Sequence, residues 1–297
     1  MIDLAQGGSR RAVLRRQLDA IVGGRSSRLD FDLHAITFDP ALVVRDVTLR
    51  MDGESAELRR LVTAFHQSGS LRRAIDVLGW PNSEQRIRGC RTVGALRVED
   101  ALPWLTPLLR ARDPRVSGAA ARALARIGGV RSAEALLSAI ERSGPRRVLI
   151  VALAQAAPDM FLETALRRGS RRATTAVAVA AGLRRRRTSL EPLASLASSG
   201  TRRERVVSCR ALGWCRSRSA LPSLVQALGD VDARVRISAI KGLAVLHAAS
   251  SPDQLEILLQ IEQLLHDHDQ RVSVAARLAV RRLRKILMKR AGRWRWR

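Results

Sequence analysis

Shifting the chain by 119 residues aligns EQRIRGCRTVGALRVEDALPWLTPLL (84–109) with RERVVSCRALGWCRSRSALPSLVQAL (203–228). Ten of the 26 positions are identical: Arg86/Arg205, Cys90/Cys209, Arg91/Arg210, Gly94/Gly213, Arg97/Arg216, Ala101/Ala220, Leu102/Leu221, Pro103/Pro222, Leu105/Leu224 and Leu109/Leu228. Self-similarity at this level restricts the chain to stacked copies of one small supersecondary unit, each burying its apolar face against its neighbours. Weaker copies fill the interval. The apolar residue closing the first helix of each unit recurs at Val93, Leu124, Leu153, Ala181, Leu212, Leu243 and Val280, at spacings of 31, 29, 28, 31, 31 and 37.

Each unit reads as a helix with small and apolar residues at i, i+3, i+4 and i+7, such as VSGAAARALARIG, then a turn, then a second apolar helix such as SAEALLSAI. Asp113, Asp232 and Asp269 stand two or three residues ahead of Val116, Val235 and Val272, where a carboxylate caps a helix. Pro114, Pro145 and Pro252 fall before or within first turns, where a missing N–H is harmless. The third and fourth copies, beginning GPRRV and SRRAT, lack the Asp, so side-chain capping is not expected there.

The D-P-R-V and D-x-R-V openings, A-x-A-L closures and A-L-P-x-L second helices resemble HEAT repeats of the short kind found in phycobilin lyases, over roughly residues 82 to 290. The resemblance implies an all-α fold: a right-handed α-solenoid of antiparallel helix pairs, with six to seven repeats and an N-terminal helical cap. Residues 1–80 form that cap, 81–290 the repeats and 291–297 a basic tail. SAELRRLVTAFHQSGSLRRAIDVL leading straight into the first clear repeat is also similar to a group of bacterial membrane-associated HEAT proteins with a membrane helix at the extreme N-terminus. That helix is missing here, which implies a soluble member or an upstream start.

With 46% apolar residues the chain has the means to bury a core, which excludes disorder over most of its length. No apolar run reaches the 18 or so residues a membrane span needs, and MIDLAQGGSRRAVLRR has no apolar stretch of a secretory signal. Three cysteines, Cys90, Cys209 and Cys215, do not make a disulfide framework, so a reduced cytoplasmic setting is expected. Lysine and arginine number 53 against 27 acidic residues, giving a net charge of +26. Only Lys241, Lys285 and Lys289 are lysines, a bias that fits a GC-rich genome. The sign favours phosphate-bearing partners or acidic protein.

Residues 1–100 carry 16 cations and 13 anions, while 101–297 carry 37 and 14. In a HEAT solenoid the second helices line the concave face, and here they hold Glu99, Asp100, Glu134, Glu141, Glu163, Glu191, Asp253, Glu256 and Glu262. That face is expected to be neutral to acidic. Arginines gather in turns and helix starts: Arg146, Arg147, Arg167, Arg168, Arg171, Arg172, Arg202, Arg203 and Arg205 on one edge, Arg184, Arg185, Arg186 and Arg187 with Arg216 and Arg218 on the other. Two readings stand for these clusters: a ridge that tracks a polyanion by counterion release, or a solvated surface. The chain has no Tyr and few aromatics in the turns, which disfavours single-strand stacking.

The segment 281–297 has nine cations and no anion: Arg281, Arg282, Arg284, Lys285, Lys289, Arg290, Arg293, Arg295 and Arg297, with Trp294 and Trp296 interleaved. Arg and Trp together suit an anionic lipid headgroup layer, each cation contributing about 1 kcal/mol there. Nucleic acid would satisfy the same tail, and a disordered end is the plainer alternative.

Catalytic chemistry is not advertised. His266-Asp267-His268 reads as the turn before the final helix, not a metal site. Cys90 and Cys209 read as small buried hydrophobes, and Trp104 and Trp214 as core. No phosphate-cradling Gly loop is present; Gly7-Gly8 and Gly128-Gly129 read as plain turns. No catalytic, cofactor-binding or metal residue is therefore expected. HEAT-like glycosylases for alkylated DNA place cations and Trp on the concave face, opposite to this charge pattern, and a lyase-like reading lacks a tetrapyrrole cluster. The expectation is a non-enzymatic scaffold holding a protein partner on its concave face, its cationic edges and tail against anionic lipid or polymer at the inner membrane face. The alternative is a sequence-independent nucleic-acid binder.

Overall fold

A computed structural model describes residues 2–31, 39–168, 172–185, 187–249 and 254–294. They are all-α, with no strand among them. Packing divides the chain into two compact units, residues 1–158 and 159–297.

The first unit holds α1 (Ile2–Val22), α2 (Pro40–Thr48), α3 (Ala56–Gln67), α4 (Ser70–Asp76), α5 (Ser83–Ala95), α6 (Leu102–Leu108), α7 (Pro114–Ile127), α8 (Gly129–Ser143) and α9 (Arg147–Ala156). First helices stack in a row, α5 on α7 and α7 on α9, with α6 and α8 behind them. Within residues 1–80, α2 and α4 pack directly on α5.

The second unit holds α10 (Asp159–Arg168), α11 (Thr174–Arg184), α12 (Leu190–Ser199), α13 (Arg202–Cys215), α14 (Leu221–Gln226), α15 (Ala233–Ala249), α16 (Gln254–Glu262) and α17 (Gln270–Trp294). Its first helices α11, α13, α15 and α17 again stack in sequence. α17 stays helical to Trp294, past the boundary expected at 290.

Local chemistry accounts for the helix ends. Asn82 Oδ1 accepts from Gln85 N at 3.1 Å, and Asp113, Asp232 and Asp269 accept from Arg115, Arg234 and Arg271 N, each at 2.8 Å. Thr201 forms a reciprocal capping box with Glu204, which the T-x-x-E spacing signals. α9 and α11 start at Arg146 and Ala173 with no side-chain cap, as the missing Asp implies.

A G-x-x-R tetrapeptide closes three first helices and serves two purposes. Gly94, Gly182 and Gly213 lie against the next first helix so closely that an added Cβ would sit 2.6, 2.8 and 2.5 Å from the Cα of Ala123, Ala211 and Gly242. Three residues on, Arg97, Arg185 and Arg216 adopt φ of 54, 55 and 51°, and their N–H groups donate to the carbonyls of those glycines. This left-handed residue ends the helix and reverses the chain into the second helix.

Trp104 departs from its expected core position. α6 has seven residues and buries Leu102, Leu105 and Leu108, so Trp104 falls off that face and is 48% exposed. Trp214 is half-buried.

Candidate partner-binding surfaces

The expected arginines divide by what their guanidinium groups touch. Arg146 donates to Ser117 Oγ at 3.1 Å and to the Leu109 carbonyl at 2.8 Å, bracing α9 against the preceding repeat. Arg205 is bidentate on Asp230, Nε to Oδ2 at 2.7 Å and Nη2 to Oδ1 at 3.0 Å, and also donates to the Gly200 carbonyl. Both work inside the fold and are only partly accessible, which removes them from the free cationic ridge expected from the sequence. Arg167 lies between Glu163, at 3.2 Å, and Glu191; Arg202 pairs with Asp232 at 3.8 Å and Arg284 with Glu262 at 2.6 Å. Arg184 is half-buried, with its Nε enclosed and unpartnered.

Arg147, Arg168, Arg172, Arg185, Arg187 and Arg203 are exposed and make no ion pair among the described residues. Arg281, Arg282 and Lys285 are in the same condition on α17. Lys289, Arg290, Arg293 and Trp294 belong to the helical stretch, while Arg171, Arg186, Arg295, Trp296 and Arg297 lie outside the described residues.

Arg205 has a deeper counterpart in Arg236, which binds Asp267 in the same bidentate manner, Nε to Oδ2 at 2.9 Å and Nη2 to Oδ1 at 2.8 Å. The two side chains are 5% and 4% exposed. Nη1 donates to the Asp230 and Val231 carbonyls at 2.8 and 3.3 Å, and Nη2 also approaches His268 Nε2 at 3.2 Å, so no donor of this buried guanidinium is stranded. Asp230 and Asp267 each accept a second bond from the backbone N–H two residues on, at 2.8 Å. Burial pushes both carboxyls up, but the Arg205 and Arg236 hydrogen bonds outweigh it and hold them below the ordinary 3.8. The signal was in the sequence as Arg four residues past a cap and Asp two residues before the next, at 205/230 and 236/267. In the matching copy Ala111 stands at the position of Asp230, and the Arg86 Nε is enclosed without a partner.

Second helices present apolar side chains beside carboxylates. Met160 on α10 is 69% exposed and Leu255 and Leu259 on α16 are 63% and 53% exposed; Glu256 lies on the same side of α16. In the first unit Trp104 stands near the acidic turn Glu99-Asp100 in sequence and is likewise exposed. Unpartnered apolar area of this kind beside charge is the composition of a protein-docking surface.

Two concavities lie beside these surfaces. A pocket of about 350 Å³ opens between α2, α4 and α5, lined by Val44, Val77 and Trp80 with Arg73, Gln85 and Arg88. A groove of about 570 Å³ runs along α17 with Leu265 and Val280 at its base. The three thiols are buried, and burial raises Cys90 and Cys209 to about 12 and Cys215 to about 11, which is unsuited to nucleophilic chemistry. Among the described residues no three His, Cys, Asp or Glu are grouped to hold a metal. No helix described is long and apolar enough to cross a membrane.

The family model for HEAT repeats matches residues 71–157 and 190–281. No curated protein matches the chain. Among solved structures, human deoxyhypusine hydroxylase is 18% identical over 92% of this chain and 98% of its own, with a TM-score of 0.37. An archaeal HEAT-like repeats protein from Thermococcus onnurineus NA1 is 13% identical over 83% and 97%, with a TM-score of 0.34. A designed armadillo repeat protein is 14% identical over 91% and 99%, with a TM-score of 0.24.

Proposed function

The chain belongs to the HEAT-repeat family, and from that premise we propose that it is a non-enzymatic scaffold: its second helices hold a protein partner while its unpaired arginines and C-terminal tail keep it at an anionic surface. The observation that carries this reading is the separation of chemistries. Second helices expose Met160, Leu255 and Leu259 alongside carboxylates, whereas Arg147, Arg168, Arg172, Arg185, Arg187 and Arg203 lie in loops and at helix ends with no carboxylate partner among the described residues. Apolar area with modest acidity selects protein, and unpaired guanidinium selects phosphate. The anionic surface is a membrane inner face, supported by the Arg/Trp alternation of residues 293–297.

Affinity purification from the native host after nuclease treatment tests the scaffold half. A stoichiometric protein that survives nuclease and is lost when Leu255 and Leu259 become Ser supports it; recovery of nothing but nucleic acid overturns it. Co-sedimentation with liposomes tests the other half: binding confined to anionic vesicles and reduced by changing Arg293, Arg295 and Arg297 to Gln is the expected result.

A second reading, a sequence-independent nucleic-acid binder, draws on the same unpaired arginines. It requires mobility shifts of any duplex with an affinity that falls steeply as salt rises. A duplex left unshifted at physiological salt eliminates it.

A further inference from the structure

We infer that the open side of α17 is a docking surface for an acidic amphipathic helix of a partner protein. Val274, Leu278, Arg281, Lys285 and Met288 follow one another at steps of four, three, four and three residues, which aligns them on one side of the helix. All five are exposed, Leu278 and Met288 at 63% and 73%, and they line one groove with Leu265 from the turn before α17. Arg277 flanks the stripe, its guanidinium folded back onto the Ser273 carbonyl and hydroxyl. The face therefore sets a cationic pair between apolar side chains, without one acidic residue in α17.

The surroundings narrow the occupant. Gly94 and Gly213 stand twelve positions past the capping residues Asn82 and Thr201, and there they admit the next first helix at backbone contact. The same step from Asp269 falls on Arg281. First helices of this protein stack where that step is Gly or Ala, as at Ala125 of α7 and Ala244 of α15, and the Arg281 side chain fills the space those small residues leave open. A second copy would bring two α17 helices of like charge, from chains of +26 each, to the same place. The groove floored by Leu265 and Val280 admits a narrow ridge of side chains, as one helix offers another, rather than a planar bilayer. Carboxylates at i+4 on the incoming helix then reach Arg281 and Lys285 while its apolar residues cover Val274, Leu278 and Met288. Arg284 with Glu262 is the internal precedent, an α17 cation held by an acidic residue of α16.

The test uses the full chain and a fluorescein-labelled 18-residue peptide with Leu on one helical side and Glu on its flanks. Fluorescence anisotropy at physiological salt is compared for this peptide and for a control with every Leu replaced by Ser. The amphipathic peptide is expected to bind, and the Ser control about tenfold or more weaker. Leu278→Ser and Arg281→Glu are each expected to weaken the peptide about tenfold, and circular dichroism checks that these exposed substitutions leave the fold intact. Equal binding of both peptides, or indifference to both substitutions, overturns the inference as bulk attraction. A concentration-dependent dimer abolished by Leu278→Ser assigns the face to a second copy, and loss of anionic-vesicle binding without peptide binding assigns it to lipid; either result overturns it.

Discussion

Arg236 on α15 and Asp267 before α17, 31 residues apart, form a bidentate ion pair, with each side chain 5% exposed or less. Removing the carboxylate leaves a nearly buried guanidinium without its bidentate partner, with Asp230 as the remaining nearby negative charge. Asp267→Ala is expected to cost about 3–5 kcal/mol in urea unfolding. Arg236→Met combined with Asp267→Leu is expected to recover most of that loss, since the pair must overcome its own desolvation.

The same carboxylates set an acid limit. Because Asp230 and Asp267 have folded pKa values below their ordinary one, their contribution is complete above pH about 4 and is lost as pH falls through the folded values. Thermal unfolding between pH 5 and pH 2 is expected to show this decline. Asp267→Asn flattens part of it; an unchanged acid limb would contradict the assignment.

Two glycines, one at a helix crossing and one in open space, give opposite outcomes from one chemical change. Gly213→Ala gains helix propensity but forces a methyl to within 2.5 Å of the Gly242 Cα, and a net loss of about 1–3 kcal/mol is expected. Gly229→Ala, with nothing within 4 Å of the added carbon, is expected to be neutral or slightly stabilising. Paired denaturation curves decide it.

At Arg216 the left-handed turn is held by a residue with a Cβ, on the surface. Arg216→Gly is expected to stabilise by about 1 kcal/mol. Arg97→Gly relieves the same strain but gives up the 2.7 Å bond from Arg97 to the Met51 carbonyl, which ties the α2–α3 loop to the first repeat, and no gain is expected there.

Thiol titration checks the buried cysteines. With burial raising Cys90, Cys209 and Cys215 to about 12, 12 and 11, native protein at pH 8 is expected to leave a disulfide reagent unreacted over minutes, and guanidinium to release all three thiols at once. Fast reaction of a native thiol would contradict their placement.

What the residues disclosed on their own follows the range of the interaction responsible. Caps at Asp113, Asp232 and Asp269, and the bare starts at Arg146 and Ala173, depend on three or four neighbouring residues and were legible. Cys90 and Cys209 are buried as their repeat position implied. Arg205 was read as part of a surface ridge because its partner Asp230 lies 25 residues away, and only packing brings the two together. Trp104 was read as core because hydrophobicity alone cannot show which side of a seven-residue helix faces inward.

The arginine forks of the second unit interlock. Arg205 holds Asp230, the Asp230 carbonyl receives Arg236, and Arg236 holds Asp267, whose carboxylate receives the N–H of Asp269 at the start of α17. Opening any one link strips hydrogen-bond partners from the next. Stacked repeats ordinarily fray inward from a free end, but the linked bonds make α13, α15 and α17 expected to exchange their amide protons as one block, with similar protection along all three. These three helices are thus expected to behave as a latch, shut as a whole or open as a whole.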